Sequence, residues 1–297
     1  MTLRLRRWAP GLLLLSPSLV VLGIFVYGLI GYTVNLSLQD RHNALPAEGY
    51  AGLSNYTNLF TEPTGRFQHN LWNLAVFTVV FVGGTLVLGL LWAFLLDRRA
   101  RAEGLFRTVY LFPMAVSFVA SGVVWRWLMN SGQGDNAGGL NAIFGDLHLG
   151  FLENPWWTAP RWGMAAMALP AIWQLSGYIM ALFIAGFRGI PGELREAAVV
   201  DGATTWQLYR SVLFPQLTPT VLSALIITGH MSMKMFDLIM SVSGPQWITE
   251  VPSVYVWQTL LTYDYAKAAA IAVFLLVVVA VVIVPYLVHV NRVEKRS

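Results

Sequence analysis

Six long apolar runs limit what this chain can fold into more than any other feature of its sequence. Each run is near or above the ~20 residues that a helix needs to cross a bilayer. An open sheet would leave backbone groups unpaired in lipid, so each run is predicted to form a helix. The sequence therefore predicts an all-α integral membrane protein, with 1–297 as a single transmembrane domain. The six runs cover about 11–38, 71–96, 105–128, 164–187, 217–240 and 268–290.

Composition agrees with a membrane protein and excludes several kinds of chemistry. With 56% hydrophobic residues, 11% charged residues and a mean hydropathy of +0.59, the chain lies outside the range of soluble domains. The absence of cysteine excludes disulfides, thiolate metal sites and cysteine nucleophiles. The net charge of +4 is explained by membrane topology, described next, so no nucleic-acid partner is predicted.

The basic residues indicate how the chain is oriented. With the amino terminus inside, 13 of the 19 lysines and arginines fall in predicted cytoplasmic segments. This positive-inside bias places both termini, and the segment 189–215, in the cytoplasm. Arg4, Arg6 and Arg7 before the first run also fit a secretory signal. However, the run is too long for a signal and lacks a small-x-small cleavage site, so we expect an uncleaved helix.

The segment 189–215 is polar, although it lies between two apolar runs. Pro191 suits the first turn of a helix, and Glu196 sits early in it, where the helix dipole favours a carboxylate. Gly202 is predicted to end this helix, and Thr204 or its neighbour to cap a second one. We call 189–215 the elbow; its two helices are predicted to expose a docking surface. The alternative is a loop that folds back on its own membrane helices.

In the elbow, Glu196-Ala197-Ala198 is followed after three residues by Gly202, and after nine more by Val212-x-Phe214-Pro215. This pattern resembles the EAA motif of membrane subunits of bacterial ABC importers. The family has Ile-x-Leu-Pro at the end, and both departures stay apolar. In that family the elbow is the coupling helix that sits in a cleft of the ATPase subunit. The resemblance implies that Glu196, Ala197, Ala198, Asp201, Gly202 and Pro215 couple this chain to an ATPase.

Five further segments have distinctive sequences: Gly52-Leu53-Ser54-Asn55-Tyr56, Gly138-Gly139-Leu140-Asn141, Phe151-Leu152-Glu153-Asn154-Pro155, Met235-Phe236-Asp237-Leu238-Ile239 and Gly244-Pro245. Together they resemble the MalF-like first permease subunit of sugar importers. One departure is Ser243, where the group usually has the first glycine of Gly-Gly-Pro.

The resemblance implies a set of partners and a location. These are a second homologous permease subunit, a dimer of ATPase subunits, an extracytoplasmic solute-binding protein and a sugar, in the bacterial cytoplasmic (inner) membrane. ATP and magnesium would bind the ATPase subunits, and no cofactor is expected in this chain. The neighbourhood of Lys234 and Asp237, with 250–252 and 268–270, resembles permeases for glucose or mannose. A small oligosaccharide, or glycerol 3-phosphate on Lys234, fits the same general signature.

The sequence offers little to an enzyme. None of the lysines follows a glycine, so no phosphate-binding loop is present. The five histidines are scattered without a second ligand at metal-binding spacing, so no metal site is predicted. An intramembrane enzyme is therefore disfavoured, and the chain is expected to be a non-enzymatic, pore-forming subunit.

Polar residues in the fifth run are candidates for a solute path. His230, Lys234, Asp237 and Ser241 fall on one face of a continuous helix. Charged residues within a span normally face a bundle interior or water, so this face is predicted to line the path. The alternative is a local Lys234–Asp237 ion pair near the outer interface, with the lysine snorkelling. A proton relay in a transporter or channel driven by an ion gradient is a rival use of the same residues.

Aromatic and polar residues of two other runs are further path candidates. Trp173, Gln174 and Tyr178 in the fourth run would offer a sugar an aromatic platform beside an amide. An interfacial aromatic belt would supply the same aromatic residues. Ser121 in the third run either joins the path or holds helices together, as Ser117 one turn earlier would.

Overall fold

The computed structural model describes residues 14–45, 49–97 and 103–294. The start of the predicted run 11–38 lies outside these ranges. So do the basic residues at 4–7, 98–101 and 295–296 on which part of the orientation argument rests.

The described residues are mostly helical, and their only β pairing is an isolated antiparallel bridge between Gln39 and Tyr50. Two helices contain a π-helical turn, at Gly23–Gly28 and at Leu208–Leu213. The helices are α1 (Leu14–Ser37), α2 (Ser54–Thr61), α3 (Arg66–Asp97), α4 (Glu103–Ala115), α5 (Phe118–Leu128), α6 (Leu140–Asp146), α7 (Gly163–Ala166), α8 (Ala168–Gly189), α9 (Gly192–Val200), α10 (Thr205–Gln216), α11 (Thr218–Met233), α12 (Asp237–Val242), α13 (Pro252–Leu261) and α14 (Tyr265–Glu294).

Between four and six segments of the described chain can cross a membrane. Four are long and apolar enough by themselves: Leu14–Ser37, Arg66–Asp97, Gly163–Gly189 and Tyr265–Pro285. Two bent helix pairs, α4 with α5 and α10 with α11, bring the number to six if each pair is one span. The all-helical, multi-span fold predicted from the apolar runs is thus confirmed at this coarser level.

The third predicted span is not the straight helix expected over 105–128. It consists of α4 and α5, which meet at 97°. Pro113 near the end of α4 has no backbone N–H to donate, and the Ser117 hydroxyl accepts a hydrogen bond from the Ala120 amide to cap α5. The Val116 carbonyl in the break accepts a hydrogen bond from the Gln174 side chain at 2.6 Å. This partner matters because lipid offers the backbone none.

The fifth predicted span is also interrupted. The expected helix over 217–240 ends at Met233 and resumes as α12 at Asp237. The Met235 carbonyl within the break accepts a hydrogen bond from the Ser253 hydroxyl at 3.3 Å. No glycine or proline lies between 230 and 240, so neither residue type interrupts the helix, and the carbonyl freed at the break takes its hydrogen bond from a distant segment.

The chain divides into two compact units. One contains the described residues through Phe67 together with Tyr255–Val278. Within it, the rings of Phe60, Phe67 and Phe274 pack edge to face, and Asn55 donates hydrogen bonds to the carbonyls of Ser37 and Gln39. These contacts tie α2 to the end of α1.

The second unit contains Gln68–Val254 and the described residues from Val279 onward. It has two buried clusters. One includes Phe77, Met167 and Leu238, and the other includes Phe183, Leu213 and other residues near the elbow. Helix α8 contributes to both clusters, and 72% of the most apolar window of Gly163–Gly189 is buried. Of the four single-helix spans of the described chain, it is therefore the most enclosed.

Candidate functional site

The elbow consists of two short helices separated by a glycine. Helix α9 follows Pro191, and Gly202 has φ of +78°, a left-handed conformation that side chains other than glycine disfavour. Thr204 and Gln207 form a reciprocal capping box at the start of α10. Helix α10 then meets α11 at 61°. Local sequence thus sets both the break between the elbow helices and the start of the second.

The elbow exposes most of the residues that the EAA resemblance selected. Glu196, Ala197, Asp201, Gly202 and Pro215 are exposed, whereas Ala198 is buried. Large apolar side chains are also exposed on the same two helices. Their exposed fractions are 39% for Leu194, 64% for Val199, 86% for Val200 and 58% for Trp206. A polar segment that exposes apolar side chains in this way is typical of an interaction surface.

The inner face of the elbow is held to the membrane helices by three polar side chains, which we call the anchor: Asp97, Arg195 and Tyr209. The two terminal nitrogens of Arg195 donate to the Asp97 carboxylate at 2.9 and 3.4 Å. The Tyr209 hydroxyl donates to the same carboxylate at 2.6 Å. Arg195 also donates to the Phe187 carbonyl at 3.1 Å, near the end of α8.

Burial and charge within the anchor keep its protons in place. Burial raises the pKa of Tyr209 to about 12, and the hydrogen bond to the Asp97 carboxylate acts in the same direction. Burial alone would lower the pKa of Arg195, but its hydrogen bond and attraction to Asp97 raise that pKa overall. Both groups therefore remain hydrogen-bond donors to Asp97 at neutral pH.

The structure separates the path candidates of the fifth span. His230 lies on α11, Lys234 lies in the break, and Asp237 begins α12, so they do not share the face of one continuous helix. The physical reason is the interruption at 234–236 described above. The salt bridges of the described residues do not include a Lys234–Asp237 pair, and both side chains are exposed.

The candidates of the fourth span occupy different environments. Gln174 is buried, with its nitrogen engaged by the Val116 carbonyl and its oxygen without a partner. Trp173 is 41% exposed, and Tyr178 is half-buried. Next to them, an added Cβ on Gly177 would lie 1.8 Å from the Tyr110 carbonyl oxygen, so α4 and α8 touch backbone to backbone here.

Trp173 borders an aromatic cavity that sequence reasoning missed. The cavity has a volume of about 410 Å³ and is also lined by Trp92, Tyr110 and Trp125. Trp92 stacks on Tyr110 with ring centroids 4.5 Å apart, and Trp125 meets Trp173 edge to face at 6.0 Å. These aromatic residues come from α3, α4, α5 and α8, so no single sequence pattern connects them.

Ser121 is buried in α5, and its hydroxyl has no hydrogen-bond partner in the structure. One residue along, an added Cβ on Gly122 would lie 2.4 Å from the Ser241 Cβ of α12. The two helices are therefore in close contact here. Across the described ranges, no three histidine, aspartate or glutamate side chains are grouped to hold a metal ion.

Residues 85–297 match the protein family described as binding-protein-dependent transport system inner membrane component. The chain is also 38% identical over 288 residues to a probable ABC transporter permease protein of Pyrococcus horikoshii, with 96% of this chain and 97% of that protein covered. It is 34% identical over 275 residues to the xylose/arabinose import permease protein XacH of Haloferax volcanii, covering 90% and 84% of the two chains.

A solved structure has the same fold as this chain. A chain in the crystal structure of a bacterial ABC transporter involved in the import of the acidic polysaccharide alginate aligns with a TM-score of 0.78. The alignment covers 99% of this chain and 97% of that chain, at 20% sequence identity. The family match and the 38% identical relative show that this chain belongs to the binding-protein-dependent inner membrane components, the permease subunits of ABC transporters.

Proposed function

We propose that this chain is the membrane permease subunit of an ATP-driven importer that carries a sugar across the cytoplasmic membrane. Family membership supports the permease role, and the xylose/arabinose permease among its relatives supports a carbohydrate. In this proposal the chain contributes a solute path and an ATPase docking segment, and it catalyses no reaction itself. Both of its termini lie in the cytoplasm, on the side where ATP is available.

The proposed assembly contains four further subunits. A second homologous permease completes the membrane pore, and two ATPase subunits bind ATP and magnesium. An extracytoplasmic binding protein delivers the sugar, as the description of the matched family suggests. Closure of the ATPase pair would change the pore from inward-open to outward-open, because nucleotide binds the two states with different affinity.

The observation that carries the proposal is the two-sided character of the elbow. Its outer side exposes the coupling residues other than Ala198, together with Val199, Val200 and Trp206, whereas Tyr209 and Leu213 are buried against the membrane helices. An element that is exposed on one side and fixed on the other can transmit the movement of a docked ATPase. We assign this coupling to Glu196, Ala197, Ala198, Asp201, Gly202 and Pro215.

We place the solute path along the interrupted fifth span. Interrupted helices at membrane depth are tolerated where they line a cavity, and their ends offer polar groups to a solute. His230, Lys234 and Asp237 lie at or beside this break. Trp173 and its aromatic cavity offer a platform for the apolar face of a sugar ring, and Ser121, Gln174 and Tyr178 lie on the helices around it.

The proposed substrates are fewer than those of the whole family, but they include more than one compound. A monosaccharide such as glucose or mannose, or a small oligosaccharide, fits the aromatic and hydroxyl-binding groups. Glycerol 3-phosphate is the alternative within the family, since the exposed Lys234 ammonium would attract a phosphate. Uptake assays with radiolabelled xylose, arabinose, glucose, mannose, maltose and glycerol 3-phosphate separate these cases.

The variant Gly202→Asp tests the proposed function. Aspartate at φ +78° strains the backbone and places a charge on the docking surface. No atom lies within 4 Å of an added Cβ, so the substitution does not displace a neighbouring group. We expect ATP-dependent uptake to be abolished in proteoliposomes that contain the whole transporter, with the chain still inserted in the membrane. Gly104→Asp is the matched control, because Gly104 lies outside the elbow, is exposed, and has open space around it but no positive φ.

Two outcomes would contradict this proposal. Wild-type uptake in the Gly202→Asp transporter would show that the elbow does not couple transport to ATP. Uptake that an uncoupler abolishes while ATP remains high would support the rival transporter driven by an ion gradient, with His230, Lys234 and Asp237 as its proton relay.

A further inference from the structure

The anchor joins parts of the chain that are far apart in sequence. Asp97 is the last described residue of α3, and Arg195 and Tyr209 lie 98 and 112 residues later. The elbow is connected covalently to α8 and α11, so the chain itself can transmit its movement to those two helices. Helix α3 has no such connection, and noncovalent contacts alone link it to the elbow.

The Asp97 carboxylate would be unfavourable without a partner. Its side chain is only 9% exposed, which makes an unpaired charge costly. The opposing contribution comes from the elbow, because Arg195 and Tyr209 together donate three hydrogen bonds to this carboxylate.

The rings around the anchor add a tight apolar contact. Tyr209 packs edge to face against Phe94 of α3 at 4.7 Å and against Phe187 of α8 at 5.8 Å. Arg195 also neutralises part of the negative end of α8 through the Phe187 carbonyl. The same two elbow residues therefore hold the ends of both α3 and α8.

We infer that Asp97 is a positioning residue, which makes the second span move together with the elbow when the ATPase subunits close. This inference rests on the proposed function, since it assigns the route by which the docked elbow acts on the pore. Through Asp97, α3 follows the elbow together with α8 and α11. The aromatic cavity that α3 helps to line through Trp92 would then change shape with the nucleotide state.

Distance measurements between spin labels test this inference directly. The chain contains no cysteine, so cysteines introduced at Leu95 of α3 and Ser211 of α10 place the two labels unambiguously within it. In the assembled transporter, we expect one narrow distance distribution both without nucleotide and after trapping with ATP and vanadate. Asp97→Asn should broaden the distribution or shift it on trapping, and should weaken the coupling of ATP hydrolysis to transport by about tenfold, within the usual range of coupling free energies.

Charge exchange separates positioning from folding. Asp97→Arg and Arg195→Asp should each broaden the distance distribution, whereas the double variant should restore the narrow one. Arg195→Lys keeps the charge but loses the two-pronged geometry, and it provides an intermediate case if Asp97→Asn does not assemble. Asp146→Asn, an exposed carboxylate on α6, is the control and should leave the distribution narrow.

The inference is overturned if Asp97→Asn keeps the narrow wild-type distribution, or if the wild-type distance itself changes on vanadate trapping. If Gly202→Asp blocks uptake in that case, the proposed function remains and only the role of Asp97 is lost. If Gly202→Asp transports normally, the proposed function fails, and the distances still report whether α3 and the elbow are held together.

Discussion

At the scale of single residues, the sequence shows which side chains are unusual but not what they contact. Asp97 is a lone acid after a long apolar run, which is a visible signal. Its partners lie too far along the chain for spacing to reveal them. Gly177 is similar, because a single glycine in a span has several possible explanations. An added Cβ would lie 1.8 Å from the Tyr110 carbonyl oxygen, and this distance shows that a methyl group would not fit.

Tyr209 allows a pH-dependent prediction. Because the pKa of the folded-state phenol is raised from 10.0 to about 12, its stabilising contribution is fully present below pH 10. The contribution is lost as the pH rises from 10 to about 12. Tyr209→Phe removes a hydrogen bond to a carboxylate and should therefore destabilise the protein by about 2 kcal/mol at pH 8.

The measurement is the thermal unfolding midpoint of the detergent-solubilised chain between pH 8 and about 12, across the window that the raised pKa sets. We expect the difference between wild type and Tyr209→Phe to stay constant up to pH 10 and then to shrink. Tyr50→Phe removes an exposed hydroxyl and should not change the midpoint at pH 8. A difference that grows above pH 10 would show that the neutral phenol does not stabilise the anchor.

At the scale of helices, local chemistry sets some helix ends and breaks, and tertiary contacts are found at the others. The elbow has local signals, because Gly202 and the Thr204 capping box act through neighbouring backbone groups, and the structure contains both. The breaks in the third and fifth spans depend on distant partners, Gln174 and Ser253, that donate hydrogen bonds to the freed backbone carbonyls. The apolar runs continue through both breaks, so they predicted continuous helices.

Lys234 in the fifth-span break allows a prediction about the solute path. Lys234→Gln removes a charged hydrogen-bond donor, and the loss should lower sugar uptake by about tenfold. ATP hydrolysis without substrate should remain at the wild-type rate, because the break is distinct from the elbow. The assay compares uptake and hydrolysis in the same proteoliposomes.

Lys234→Arg is the matched variant, since it keeps the charge and should retain most of the uptake. Equal uptake by wild type and Lys234→Gln would indicate that the lysine only snorkels to the interface. Loss of uptake of glycerol 3-phosphate alone, with sugars unaffected, would instead assign Lys234 to a phosphate.

At the scale of the whole molecule, much of the apolar surface remains available to lipid or to other chains. In the described part of α1, none of the most apolar window is buried within the chain, whereas α8 is largely enclosed. The exposed apolar residues of the elbow cannot face lipid if the elbow is cytoplasmic, so a protein partner is the better match for them.

Co-purification tests this assembly. A chain tagged at its carboxyl terminus and extracted gently from native membranes should bring down a second permease and an ATPase subunit. The expectation follows from the exposed surface of the elbow, which is apolar as well as charged and therefore suits stable association with a protein. A chain recovered alone or as a homo-oligomer after mild crosslinking would contradict the docking role and would favour the ion-driven alternative.

The sequence by itself determined the class of protein and its family. Apolar runs long enough to cross a bilayer must form helices, because a helix satisfies its own backbone hydrogen bonds in lipid. The EAA resemblance to ABC importer permeases is confirmed by the family match. The sequence also located the elbow, since its polarity and its glycine are local properties.

Only the tertiary structure decided where the spans break and which side chains meet. The interruptions of the third and fifth spans, the aromatic cavity and the anchor all join residues from different helices. Such contacts arise when distant segments pack together, because a buried carbonyl or carboxylate takes its partner from whichever helix packs beside it. Periodicity describes one helix at a time, and it therefore contains no information about that neighbour.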